Sequence, residues 1–310
     1  MEIGPLKRIS QYAIVLTQSR LGKFFYTAGG LAFGGPSSCF NGLNWVTLII
    51  ALSRSLQLLT PENEMKNTTL CVLFSMVFVP MAFGQESAGQ IQALKPEIQT
   101  AKWAEKWWMP RHEQKLKELK EMEKVDLLFI GDSITHGFES GGKAVWDKFY
   151  APRKAFNIGY SGDRTEHVIW RLQNGEVEGI SPKLAVIMIG TNNTGHRKDP
   201  PKHTAAGIQK IIEELQSRLE NTKILLLGIF PRDEKPDGQY RVINDGVNRL
   251  IKGYASEEKG IYFLDISNRF LDKDGKLGKS IMPDLLHPNA KGYAIWAEAI
   301  EPTVEKLMGS

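Results

Sequence analysis

From residue 110 to the C-terminus, short unbroken apolar runs alternate with stretches whose apolar positions recur every three or four residues. The runs at 125–130 (VDLLFI), 155–158, 184–189 (LAVIMI), 224–229 (ILLLGI) and 261–264 have strand length and no polar face, the pattern of buried parallel strands. Between and around them, 110–123, 164–173, 204–220, 241–255 and 289–308 read as helices. In the first, Leu116, Leu119 and Met122 fall at helical spacing and Pro110 suits the first turn. Asp163 can cap the second. Strands alternating with helices predict right-handed βαβ units: an α/β fold, a three-layer α/β/α sandwich of flavodoxin-like type with about five parallel strands. Such sheets bind ligands outside the carboxyl ends of their strands, so chemistry is expected in the residues that follow each run.

The first quarter of the chain breaks this pattern. Residues 70–83, LCVLFSMVFVPMAF, are almost continuously apolar but shorter than the roughly 20 residues that cross a bilayer as a helix. They match the apolar centre of a signal peptide, with Lys66 ahead of them and Ala82-Phe83-Gly84 placing small residues before a cleavage site at Gln85. Residues 65–84 are therefore expected to be a signal peptide. The protein is expected to be exported, periplasmic or secreted, with no stable membrane span after cleavage; an uncleaved anchor is the alternative. Met65 stands directly before this segment, and 1–64 lack clear periodicity. The prefix 1–64 is expected to be an over-extended start or unstructured, with translation beginning at Met65. Residues 85–109, rich in Gln, Glu, Ala and Ser at their start, read as a leader, and the domain proper as 110–310.

The net charge of +4, from 39 basic and 35 acidic residues, is too mild to argue for nucleic acid as a partner. The two cysteines, Cys39 and Cys71, both precede the domain, so it has no disulfide framework and no cysteine nucleophile. His112, His136, His167, His196 and His203 show no ligand-type spacing, and neither a metal nor an organic cofactor is expected.

Four segments carry candidate chemistry. The first run ends in Gly131-Asp132-Ser133-Ile134, which puts a serine on a tight turn opening a helix; as a bare motif it equally describes a helix cap. The second ends in Gly159-Tyr160-Ser161-Gly162-Asp163, where a glycine can bring a backbone N–H close to a ligand. The third ends in Gly190-Thr191-Asn192-Asn193, whose amides can donate to a developing oxyanion or simply form a polar loop. Near the C-terminus, Asp284-Leu285-Leu286-His287 places a carboxylate and an imidazole three residues apart, close enough for the acid to orient the base. Each segment alone is a weak signal. Together they supply a hydroxyl, an amide, glycine-bearing turns and an Asp–His pair.

These blocks resemble the SGNH (GDSL) hydrolase superfamily. Within it, NIGYSGDRTEHVIWRLQNGE, GTNN, FPRDEKPDGQ and DLLHP resemble the catalytic subunits of intracellular platelet-activating-factor acetylhydrolase. The resemblance covers roughly 110–308. It implies Ser133 as nucleophile, His287 as base and Asp284 as its orienter. It further implies an oxyanion hole from the Ser133 N–H, Gly162 and Asn192, and an acyl pocket crowded by Ile134 and Leu286. The expected function is an exported serine esterase acting on short-chain, chiefly acetyl, esters. The substrate is a small acyl ester of a carbohydrate or of a platelet-activating-factor-like phospholipid. The export signal departs from the intracellular subunits and leaves the choice of substrate open. A homodimer is one assembly the sequence allows. The alternative function is a non-catalytic ligand-binding module on the same fold.

Overall fold

Five segments apolar along nearly their whole length form the sheet: β1 (Leu127–Gly131), β2 (Ala155–Gly159), β3 (Leu184–Met188), β4 (Lys223–Leu227) and β5 (Ile261–Leu264). All neighbours pair in parallel, in the order β2-β1-β3-β4-β5. The expected flavodoxin-like order is present, with its switch point between β1 and β3. In register, Gly131 stands opposite Gly159 on one side and Met188 on the other. The loops that leave β1, β2 and β3 therefore emerge side by side.

Alternate residues of β1 feed two separate cores, as a strand's period of two requires. Leu128 and Ile130 join a cluster closed by α1 (Trp108–Glu121), α4 (Thr165–Gln173), α5 (Pro201–Arg218) and α6 (Gln239–Ile251). Leu127 and Phe129 join the other, closed by α7 (Ala290–Met308) and by the shorter α3 (Lys143–Phe149). A four-residue helix, α2 (Ser133–His136), follows β1 after the single residue Asp132. This is the three-layer α/β/α arrangement expected. The helix α3 was not expected: Gly141 and Gly142 precede it, and Val145, Trp146 and Phe149 are too few to establish a period.

The coordinates come from a computed structural model, which describes residues 25–27, 30–32 and 91–309. The chain divides into two compact units, Met1–Val79 and Pro80–Ser310. In the first, Phe25–Thr27 pairs antiparallel with Gly30–Ala32. The expected signal peptide, the start at Met65, the cleavage site at Gln85 and both cysteines lie outside the described residues. Among the described residues no helix is long and apolar enough to cross a membrane. Residues 91–109, read as a leader, contribute Ala93, Ala104 and Trp108 to the buried interior of the second unit.

Candidate active site

Ser133 is the first residue of α2, and its neighbour Asp132 takes the capping role. The buried Asp132 carboxylate accepts the Ile134 N–H at 3.0 Å. That leaves the Ser133 hydroxyl free to face outward, where its Oγ lies 2.8 Å from His287 Nε2. Burial pushes the Asp132 carboxyl up to about 6, and the Ile134 N–H and the nearby His287 and Arg232 pull it back only in part.

His287 reaches Ser133 from the loop before α7. Its Nδ1 is 2.6 Å from Asp284 Oδ2, while the backbone N–H groups of Leu286 and His287 donate to Asp284 Oδ1 at 3.1 and 2.7 Å. The intervening Leu285 has φ +61°, a left-handed turn that folds the Asp and His toward each other. Burial alone would raise the Asp284 carboxyl; the ring and backbone N–H groups of His287 outweigh it and hold the group below its ordinary value. An ionised Asp284 fixes the proton on Nδ1 and leaves Nε2 to accept from the serine. The arrangement can move a proton from Oγ to the imidazole.

The loops after β2 and β3 leave the sheet on either side of the end of β1, two residues before Ser133. Gly162 has φ +75°, a conformation that favours glycine. Asn192 is buried, and its Nδ2 donates to the Asp163 carbonyl oxygen at 3.0 Å. One amide hydrogen thereby ties the two loops together, and the second remains for a ligand. The carboxylate of Asp163 does not cap α4 as its position suggested. It accepts from Trp108 Nε1 at 2.6 Å and from Arg171 Nε at 2.9 Å, deep in the interior. Burial pushes Asp163 up to about 7 against the pull of Arg171. Arg171 also pairs with buried Glu176, which bonds to Tyr160 and His112. Arg164 occupies the cap position of α4 instead.

Ile134 and Leu286, the two residues assigned to an acyl pocket, differ in placement. Ile134 is buried in the apolar cluster around α7, and Leu286 is half-buried against that cluster beside His287. Sequence reasoning passed over Arg232 in the loop after β4. Its Nη1 donates to the Thr191 carbonyl at 2.9 Å and its guanidinium lies 4.6 Å from the centre of the Tyr240 ring, so it props the Asn192 loop. Among the described residues, Glu97, Glu166 and His167 bring potential metal-ligating atoms close together. Glu166 there already pairs with Arg164 and Arg197, and His167 Nδ1 accepts the Arg164 N–H, so the cluster is an ion-pair node.

The model of the GDSL-like lipase/acylhydrolase family matches residues 129–295, which span every loop described above. Among curated proteins, platelet-activating factor acetylhydrolase IB subunit alpha2 of Rattus norvegicus is 35% identical over 201 residues, covering 65% of this chain and 85% of that subunit. The alpha2 subunit of Homo sapiens is 34% identical with the same coverage. Subunit alpha1 of Bos taurus is 33% identical over 204 residues, 65% of this chain and 84% of the subunit. A solved structure from Streptococcus pneumonia superposes with a TM-score of 0.53 at 22% identity, covering 65% of this chain and 96% of that one. A GDSL-like lipase from Bacteroides thetaiotaomicron gives a TM-score of 0.50 at 21% identity, covering 63% and 97%. These two speak for the fold. The chain belongs to the GDSL-like lipase/acylhydrolase family and is a hydrolase of esterase type.

Proposed function

We propose that the protein is an exported serine esterase that removes short acyl groups, chiefly acetyl, with Ser133 as nucleophile. The observation that carries this reading is the continuous relay from Ser133 Oγ to His287 Nε2 at 2.8 Å and from His287 Nδ1 to Asp284 at 2.6 Å. His287 takes the Ser133 proton as Oγ attacks the ester carbonyl carbon. The carbonyl oxygen becomes an oxyanion held by the Ser133 and Gly162 N–H groups and by the second amide hydrogen of Asn192. Loss of one such donor typically slows turnover about 100- to 1000-fold. His287 then protonates the leaving alcohol, the acyl group remains on Ser133, and water repeats the sequence to release the acid. No step calls on a metal or organic cofactor.

Export rests on the apolar run 70–83 and the small residues before Gln85. The short-acyl preference rests on Leu286 beside the base, with Ile134 behind it in the core. Each methylene in an apolar pocket is worth about 1–3 kcal/mol, so neighbouring chain lengths should be resolved. The test is kcat/KM for acetyl, butyryl and octanoyl p-nitrophenyl esters. Rates should fall with length in the wild type, and Leu286→Ala should relax the preference toward butyryl. Ser133→Ala should abolish turnover of all three. Rates that rise with length overturn the acyl preference. Full activity in a pure Ser133→Ala sample overturns the nucleophile, and a folded wild type that hydrolyses none of these esters supports a binding module instead.

A further inference from the structure

Residues 101–108 form a turn of helical backbone ahead of α1, with Glu105 N–H donating to the Ala101 carbonyl and Trp108 N–H to that of Ala104. The sequence AKWAEKWW places Ala104 and Trp108 on the inner side, at 0% and 1% exposure. Trp103 and Trp107, four residues apart, share the outer side. Trp103 is 52% exposed and is the aromatic residue among the exposed large apolar side chains described. An isolated exposed indole needs no explanation. This one is held in place.

The two indoles stack with centroids 6.1 Å apart and planes at 30°, and Trp107 Nε1 donates to the Trp103 carbonyl at 3.1 Å. The edge of Trp103 lies on Gly162: a Cβ there would sit 2.0 Å from Trp103 Cη2. The other end of the stack meets the His136 ring, 6.1 Å from Trp107. His136 ends the helix that Ser133 begins, and its Nδ1 lies 3.1 Å from Ser161 Oγ. An aromatic surface thus runs from the glycine beside the reacting carbonyl to the helix of the nucleophile. Its two indoles lie outside the stretch 129–295 that the family model matches, while His136 and Gly162 lie within it.

We propose that Trp103 and Trp107 are the acceptor platform of this site, a stacking surface for the pyranose ring that bears the acetyl ester; the proposal rests on the esterase reading above. A pyranose presents an apolar face of C–H groups and a rim of hydroxyls. Here the first meets the exposed indole of Trp103, which Trp107 backs from below, and the second meets the hydroxyl of Ser161. Indole faces also attract quaternary ammonium groups. The charge around the platform opposes such an occupant. Lys102 and Lys106 outnumber Glu105 on the same turn. Glu139, the carboxylate near His136, is already engaged by Arg111 at 2.8 Å and by Lys115 at 3.0 Å. A neutral ring fits this surface; a choline headgroup would meet surplus positive charge.

The test compares hydrolysis of a mono-acetylated methyl β-xylopyranoside with that of ethyl acetate, which has no ring to stack. For Trp103→Ala, the ratio of the two kcat/KM values should fall about 10- to 100-fold, mainly through KM for the glycoside, as expected for truncating a central aromatic contact. Trp103→Phe should recover most of the ratio. Binding is read separately, by indole fluorescence of the Ser133→Ala protein titrated with methyl β-xylopyranoside and with phosphocholine. The glycoside should quench, and Trp103→Ala should weaken its binding at least about tenfold. An unchanged ratio, or parallel loss on both esters from a disturbed Gly162 loop, overturns the proposal. So does quenching by phosphocholine alone. If the wild type hydrolyses neither ester, the esterase reading fails, and the titration still decides the platform.

Discussion

The two sides of the site are built in opposite ways. On one side, His287 and Asp284 are 43% and 55% exposed in their side chains and are tied to each other by bonds that span only three residues. On the other, the Gly162–Asp163 loop stands on Arg171, Asp163 and Glu176, whose side chains are wholly removed from water. The first side is local and accessible. The second is assembled from α1, the β2 loop and α4 through contacts such as Trp108 with Asp163, 55 residues apart. The difference follows from what each side is proposed to do. A base must exchange protons with substrate and water, so it stays near solvent and needs only its tautomer fixed. A backbone donor has no side chain to adjust, so its position has to be imposed by a rigid, fully bonded foundation.

The sharpest way to break this contrast is to cut the foundation. Arg171→Met leaves Asp163 and Glu176 buried without their cation, and breaking a buried pair by removing one partner costs about 3–5 kcal/mol. Urea unfolding should show a loss of that size; a loss below about 1 kcal/mol would mean that the network is not a foundation.

Asp132 sharpens the contrast through pH. Its carboxyl ionises near 6 in the folded protein, pushed up by burial, against 3.8 for the free group. Between those values the folded state holds a proton that the unfolded state has lost. This group's contribution to stability is therefore present below about pH 4 and is lost as the pH rises through 6. Asp132→Asn keeps the capping acceptor without the titration. Relative to wild type, the variant should gain stability between pH 4 and pH 7, by up to about 3 kcal/mol for a shift of two units. Parallel stability curves for the two proteins would contradict this.

The smallest effect on stability belongs to the exposed side. Asp284→Ala removes a solvent-screened pair, and such pairs contribute about 0–1 kcal/mol. Unfolding should hardly change while kcat falls, because His287 loses its orienter. A stability loss comparable to that of Arg171→Met would erase the distinction between the two sides.

The exposed side was also the legible one. Asp284 and His287 lie within one tetrapeptide, and Ser133 comes two residues after the end of β1, so short-range pattern was enough to bring them forward. All five strands were legible for a related reason: a buried parallel strand is apolar at nearly every position, as in Leu127–Gly131. Their edges were less so, since Val125 and Asp126 extended the apolar run ahead of the ladder. The foundation was not legible. Asp163 looked like a helix cap because acids before helices usually are, and nothing local indicates that Trp108 and Arg171 claim its oxygens. Trp103 and Trp107 fell in a stretch read as a leader, because their neighbours across space, Gly162 and His136, lie far along the chain.

The most direct test of the account is covalent. A fluorophosphonate reacts with a serine whose hydroxyl is activated by a neighbouring base, and peptide mass spectrometry identifies the residue modified. One adduct per chain is expected, on Ser133, with labelling slowed at least about 100-fold in His287→Ala, as loss of a general base typically does. An unlabelled wild-type protein, an adduct on another serine, or equal labelling of wild type and His287→Ala would contradict it.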